Sequence, residues 1–143
     1  MIIDPDNPVV QLCAAGMAVE GDASAALALF LEAWEARRDD YDASIAAHFV
    51  ARHQATPEET LHWNALAARH AEAVTVGRAN ELLGSLYLNL GEAHRAVGNQ
   101  VEAASAAGLA RATLEHLLPG GYRDFLGHGI QRLQARLTQA MII

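Results

Sequence analysis

An all-α fold is what this sequence predicts, and three observations predict it. Only four prolines interrupt 143 residues, and the stretches between them are rich in strong helix formers. Val, Ile and Thr never cluster into the alternating runs that mark a strand. Helix start and stop signals recur at intervals suited to helices joined by short corners. The hydrophobic fraction, 52%, can supply a core for one domain of this length. Much of it is Ala, which lets helices approach closely.

Asn7-Pro8 opens the first helix, with Asn7 as N-cap and proline in the first turn, where its missing N–H costs nothing. That helix runs to about Glu20 and stops at Gly21. Asp22 caps the second, which carries Leu27, Phe30, Leu31 and Trp34 and ends in the charged run 37–40. A third covers roughly 43–54 with Ile45, Phe49 and Val50. Thr56-Pro57-Glu58-Glu59 is a capping box with proline at the first helical position, and it starts a long fourth helix to about Val76. Gly77-Arg78 marks a corner, with a continuous helix as the alternative. The fifth helix runs from about 80 to Val97, and Gly98-Asn99 turns the chain, with Asn99 as cap and Glu102 three residues on. The sixth stops at Pro119-Gly120-Gly121. The seventh, 122–141, places Leu126, Ile130, Leu133, Leu137 and Met141 on one face. The helices pair as one with two, three with four and five with six. Stacked antiparallel hairpins need their last apolar face covered, and the seventh helix is placed to do that.

Charge and composition exclude some functions. A formal net charge of −7 has the wrong sign for neutralising phosphate, so neither nucleic acid nor an anionic membrane is an expected partner. One cysteine, Cys13, excludes an intrachain disulfide and fits a reducing compartment. The N-terminus lacks a basic region followed by an apolar run, and no apolar stretch is long enough to span a bilayer. The cytoplasm is the expected location. Both ends are apolar, Met1-Ile2-Ile3 and Met141-Ile142-Ile143, and should pack against the domain or a second copy.

The stretch 86–110 resembles the tetratricopeptide repeat. Leu90-Gly91, Gly98, Ala103, Ala107 and Ala110 match its slots, with Tyr87 near the Trp slot and His94 in the aromatic one. The first pair matches in part: Ala14 falls in the mid-helix small slot, Gly21-Asp22 at the corner, then Ala26, Phe30 and Ala33. The second is degenerate, with His48 where the small residue belongs. The resemblance implies a single domain, 1–143, with repeats at roughly 7–40, 41–77 and 79–118 and a capping helix.

The resemblance also implies a concave face lined by the first helix of each pair. Its register puts Pro8, Gln11, Ala15, Ala18 and Val19 there from the first repeat and Asp42, Ile45, Phe49, Arg52 and His53 from the second. The third supplies Ser85, Leu88, Glu92, Arg95 and Ala96. Arg52 and Arg95 fall in equivalent slots above an apolar floor of Phe49 and Leu88, which would suit an acidic or carboxylate-bearing peptide. The family's clamp for C-terminal carboxylates uses Lys and Asn. Gln11 and Ala15 occupy two of its slots here, and only Asn89 resembles a third. The alternative is that Arg52 pairs with Asp42 or Glu92 and the groove simply faces water.

Enzyme signatures are missing. There is no dinucleotide fingerprint, P-loop or nucleophile elbow. Seven histidines invite a metal, but none supplies the metalloprotease pair, and Glu58 with His62 gives only two ligands. His48 reads as a hairpin contact, Cys13 as core, and Phe30, Trp34, Tyr41, Trp63 and Tyr87 as packing residues. The leading expectation is a non-enzymatic module, without cofactor or metal, that binds a protein or peptide. A self-assembling homodimer is second, and a metal-dependent enzyme using the histidines is a distant third.

Overall fold

The computed structural model describes residues 4–74 and 80–142. Among them the fold is all-α, in seven helices: α1 (Pro8–Ala18), α2 (Ala23–Glu35), α3 (Asp40–Val50), α4 (Pro57–Glu72), α5 (Asn80–Ala96), α6 (Gln100–Thr113) and α7 (Gly121–Ile142). Short 3-10 turns follow α3 and α6. The expected corner at Gly77-Arg78, the ends Met1–Ile3 and Ile143, and the Met141 side chain lie outside the described residues. The chain divides into two compact units, Met1–Val76 and Gly77–Ile143.

Unit 1 begins as its caps dictate. The Asn7 side chain accepts from Val9 N–H at 2.8 Å, and Asp22 accepts from Ala25 N–H at 3.1 Å. The sequence places the start of α3 at 43, but Asp39 caps it, accepting from Asp42 N–H at 2.8 Å, so it starts at Asp40. The charged run thus ends no helix. It begins the next one. Thr56 caps α4 by accepting from Glu59 N–H at 3.1 Å. That helix ends at Glu72, short of the expected Val76.

Packing in unit 1 converges on two points. Phe30 is fully buried, and its ring fills the notch left by Gly16, where a Cβ would fall against the ring. The close-approach residue of α1 is therefore Gly16, and Ala14, expected there, is exposed. Val9, Cys13 and Gly16 form the inward face of α1, spaced for one side of a helix. The second point is α3, packed by α1, α2 and α4 and buried at every residue from Tyr41 to Ala47. This corrects the placing of Asp42 and Ile45 on an open face: they are only 1% and 8% exposed.

A buried carboxylate needs partners, and Asp42 has them. One oxygen accepts from Asn7 Nδ2 at 2.7 Å. The other accepts from Arg38, through its backbone N–H at 3.1 Å and its Nε at 2.9 Å. Burial by itself would raise the Asp42 pKa. The hydrogen bonds from Arg38 and Asn7, with the Arg38 charge, outweigh it and hold the group below its usual value. Asn7 thus caps α1 and ties it to α3.

Unit 2 is built from aliphatic side chains and glycine notches. Ala103, Ala106, Ala107 and Ala110 form the buried face of α6. Leu126, Ile130, Leu133 and Leu137 of α7 are buried, as the periodicity predicts. Leu126 lies against Gly84 and Leu133 against Gly91, two glycines seven residues apart on α5, while Leu88 of α5 lies against Gly129 of α7. Burying each such leucine contributes about 2 kcal/mol. The α5–α6 corner is a Schellman motif: Asn99 N–H reaches His94 O at 2.9 Å and Gly98 N–H reaches Arg95 O at 3.1 Å. Gly98 sits there at φ 88°. Asn99 makes no side-chain cap. Its amide instead meets His94 Nδ1 at 3.2 Å.

Candidate functional site

Three of the expected site residues, Phe49, Arg52 and His53, come together where α3 tightens into the turn Ala51–His53. That turn delivers Arg52 and His53 to one carboxylate, Glu20, in the corner between α1 and α2. Arg52 Nη2 donates to Glu20 Oε1 at 2.9 Å, and His53 Nε2 donates to Glu20 Oε2 at 2.7 Å. Within unit 1, Arg52 therefore pairs with Glu20 and not with Asp42. The Arg52 side chain is 46% exposed, against 18% for His53 and 22% for Glu20.

Rings support these polar groups. Phe30 stacks on Phe49 with centroids 5.2 Å apart and on His53 at 5.9 Å. The Arg52 guanidinium lies 5.7 Å from the Phe49 centroid, within range of a cation–π attraction. His48 meets Phe49 edge-on at 5.0 Å. Burial, and secondarily the Arg52 charge, push the His48 pKa down to about 4, so His48 is neutral at neutral pH. The cluster thus joins a guanidinium and an imidazole on an aromatic bed, both turned to a carboxylate.

The other expected residues, Leu88, Asn89, Glu92 and Arg95, belong to unit 2. Leu88 is turned inward, partly buried on the cluster of Ala103, Ala107, Leu133 and Leu137. Asn89 is half-buried. Glu92 accepts from Arg95 Nε at 3.3 Å and from Arg136 Nη1 of α7 at 3.3 Å. Glu92 and Arg95 are engaged with each other, and Leu88 packs within the unit.

A second concave place lies at the other end of α3. An open cleft of about 530 Å³ is lined by Glu35, Arg37, Arg38, Asp39, Asp40, Ala43 and His70. Its charges are largely committed. Arg37 Nη1 donates to Trp34 O at 2.7 Å with its guanidinium 4.0 Å from the Trp34 ring. Arg38 holds Asp42, and His70 Nδ1 donates to Asp40 at 2.8 Å. Trp63 meets Trp34 edge-on at 5.1 Å. These contacts pin the α2–α3 corner to α4.

Among the described residues, no three His, Cys, Asp or Glu side chains gather as metal ligands. Burial pushes the Cys13 thiol up to about 12, which keeps it protonated and unreactive. No described helix is long and apolar enough to cross a membrane.

Sequence reasoning missed the part played by Glu20. A signal was available: Val19 shares a repeat slot with His53, so Glu20 stands one place past that slot, in the turn after α1. Compared with family models, curated proteins and solved structures, the chain matches none.

Proposed function

We propose that this protein is a non-enzymatic interaction module of the tetratricopeptide type, working in the cytoplasm, whose unit 1 presents Phe49, Arg52 and His53 to a protein or peptide. One observation carries the reading. Arg52, the most exposed member of a polar and aromatic cluster, lies over Phe49 and makes one hydrogen bond among the described residues, to Glu20. A guanidinium has about five N–H donors, so most of its bonding capacity remains for a partner. Aromatic and arginine side chains are the residues most often decisive at protein interfaces. The net charge of −7 argues against a nucleic-acid partner.

The test is affinity capture from the host lysate with wild-type protein beside a Phe49→Ala, Arg52→Glu variant shown by circular dichroism to be folded. A partner held by the wild type and lost by the variant is expected. The same partners on both baits would contradict the reading.

Self-association is the second reading, favoured by apolar side chains exposed on unit 2. Val101 and Leu109 on α6 are 79% and 48% exposed, and Leu118 and Phe125 near the α6–α7 corner are 87% and 74% exposed. Sedimentation at low concentration checks it. A dimer that Leu109→Glu dissociates would support it, and a monomer throughout would remove it.

A further inference from the structure

We propose that the Arg52–His53 pair is a carboxylate-binding site whose resting occupant is Glu20, and that a partner's carboxylate displaces Glu20 to bind there. This rests on the interaction-module reading and names the chemistry of its ligand.

The pair already holds a carboxylate. Two donors from successive residues converge on the two oxygens of one carboxylate, at 2.9 and 2.7 Å. Phe30 stacks on the imidazole and Phe49 underlies the guanidinium, which fixes both donors and thins the water around them. Hydrogen bonds to an ionised group are stronger there than in open solvent. The Arg52 charge is felt locally, since it helps hold His48 neutral.

Glu20 is suited to leave. It lies in the corner between α1 and α2, and that corner is closed by its own backbone. Val19 N–H bonds to Gly16 O at 3.1 Å and Asp22 N–H to Val19 O at 2.8 Å. Swinging the Glu20 side chain away breaks neither bond. Gly21, next in the chain, has open space where a side chain would stand. Glu20 is also partly exposed, so a ligand can reach the pair it holds. When no ligand is present, Glu20 keeps two donors satisfied and lowers the fraction of molecules with an open site, which weakens apparent affinity in proportion.

The matching carboxylate has two sources, an acidic side chain or a chain terminus, and the probes separate them. One probe is oligoglutamate with an amidated C-terminus, and another is oligoglutamine with a free C-terminus. Fully amidated oligoglutamine is the uncharged control. Binding to wild type, Glu20→Ala and Glu20→Ala, Arg52→Gln is measured by calorimetry or by backbone-amide shifts. At least one charged probe should bind Glu20→Ala about tenfold tighter than wild type. The gain should vanish in the double variant, and the control should show no gain. If Glu20→Ala does not fold, Glu20→Gln carries the same comparison, because it removes the charge at nearly constant size. A charged probe that binds wild type and Glu20→Ala equally would overturn the inference, leaving Glu20 as a structural tie and the interaction-module reading intact. Failure of both charged probes to bind either protein would overturn the inference, while partner capture dependent on Phe49 and Arg52 would still decide the broader reading.

Discussion

The two units solve the same problem, packing short helices, with different chemistry. Unit 1 holds all four of the buried polar side chains among the described residues, Asn7, Asp42, Ser44 and Asn64. Every ring–ring pair found there joins residues of unit 1, from Phe30–Phe49 to His62–Trp63. Unit 2 buries Ala, Leu, Ile and one Tyr, with leucines seated over glycines. An aliphatic core stabilises without offering donors or charges. A core with a paired carboxylate and stacked rings costs more to desolvate but fixes polar groups in place. Unit 2 therefore holds its helices by aliphatic packing, and unit 1 by packing that also fixes polar groups in place.

The comparison can be broken experimentally, because both tryptophans, Trp34 and Trp63, lie in unit 1. Their fluorescence reports on unit 1 alone, while circular dichroism reports on both units. The largest effect should come from Phe30→Ala, which empties the space over Gly16 and beside Phe49. It should cost about 4 kcal/mol and shift the fluorescence transition. Leu133→Ala is its counterpart in unit 2, at about 3 kcal/mol, and should leave the midpoint of the fluorescence transition much less changed. Equal shifts of that transition by both variants would dissolve the distinction between the units.

Acid should separate the units next. His48 has a folded pKa near 4 against an ordinary value of 6.5, so the unfolded chain takes up its proton first. Its contribution is complete above pH 6.5 and is lost as pH falls toward 4, a change of about 3 kcal/mol. Asp42 acts in the same direction at lower pH, since its folded pKa is depressed. Its contribution holds above the usual carboxylate range and disappears as pH falls through its own lower value. Denaturant melts across this range should show the fluorescence transition weakening, and His48→Leu should remove most of the upper part of the slope. A fluorescence midpoint independent of pH from 6.5 to 4 would contradict this.

Smaller effects sharpen the picture. Asp42→Ala should cost about 2 kcal/mol, less than a fully buried ion pair would, because Arg38 remains 58% exposed and returns to water. Asp42→Asn keeps one acceptor oxygen, for either Asn7 or Arg38 but not both, so it should recover only part of that cost, and chemical denaturation would rank the two. The smallest change is Gly98→Ala in unit 2. Nothing lies within 4 Å of the added Cβ, so only the positive φ opposes it, at about 1 kcal/mol. Circular dichroism should register it with little change in fluorescence.

Local signals made much of this fold legible. The caps Asn7, Asp22 and Thr56, the turn at Gly98 and the buried stripe of α7 all act within a few residues of themselves, so spacing alone exposes them. The α3 boundary was misread because Asp39 can end one helix or cap the next, and only its bond to Asp42 N–H decides. The depth of Asp42 and Ile45 depends on three helices packing around α3, which a repeat register does not convey. Within the site, the adjacency of Arg52 and His53 was visible. Their union with Glu20, more than thirty residues earlier, needed the α1–α3 packing. Gly16 replaced Ala14 for a similar reason: which small residue meets the Phe30 ring depends on the rotation of α1 about its axis.

The most direct test of where recognition sits is a backbone-amide NMR titration of the wild-type protein with amidated oligoglutamate. The account predicts shifts at residues 19–22 and 49–53, with α5, α6 and α7 unmoved. Shifts centred on residues 85–96, or none in unit 1 while unit 2 responds, would contradict it.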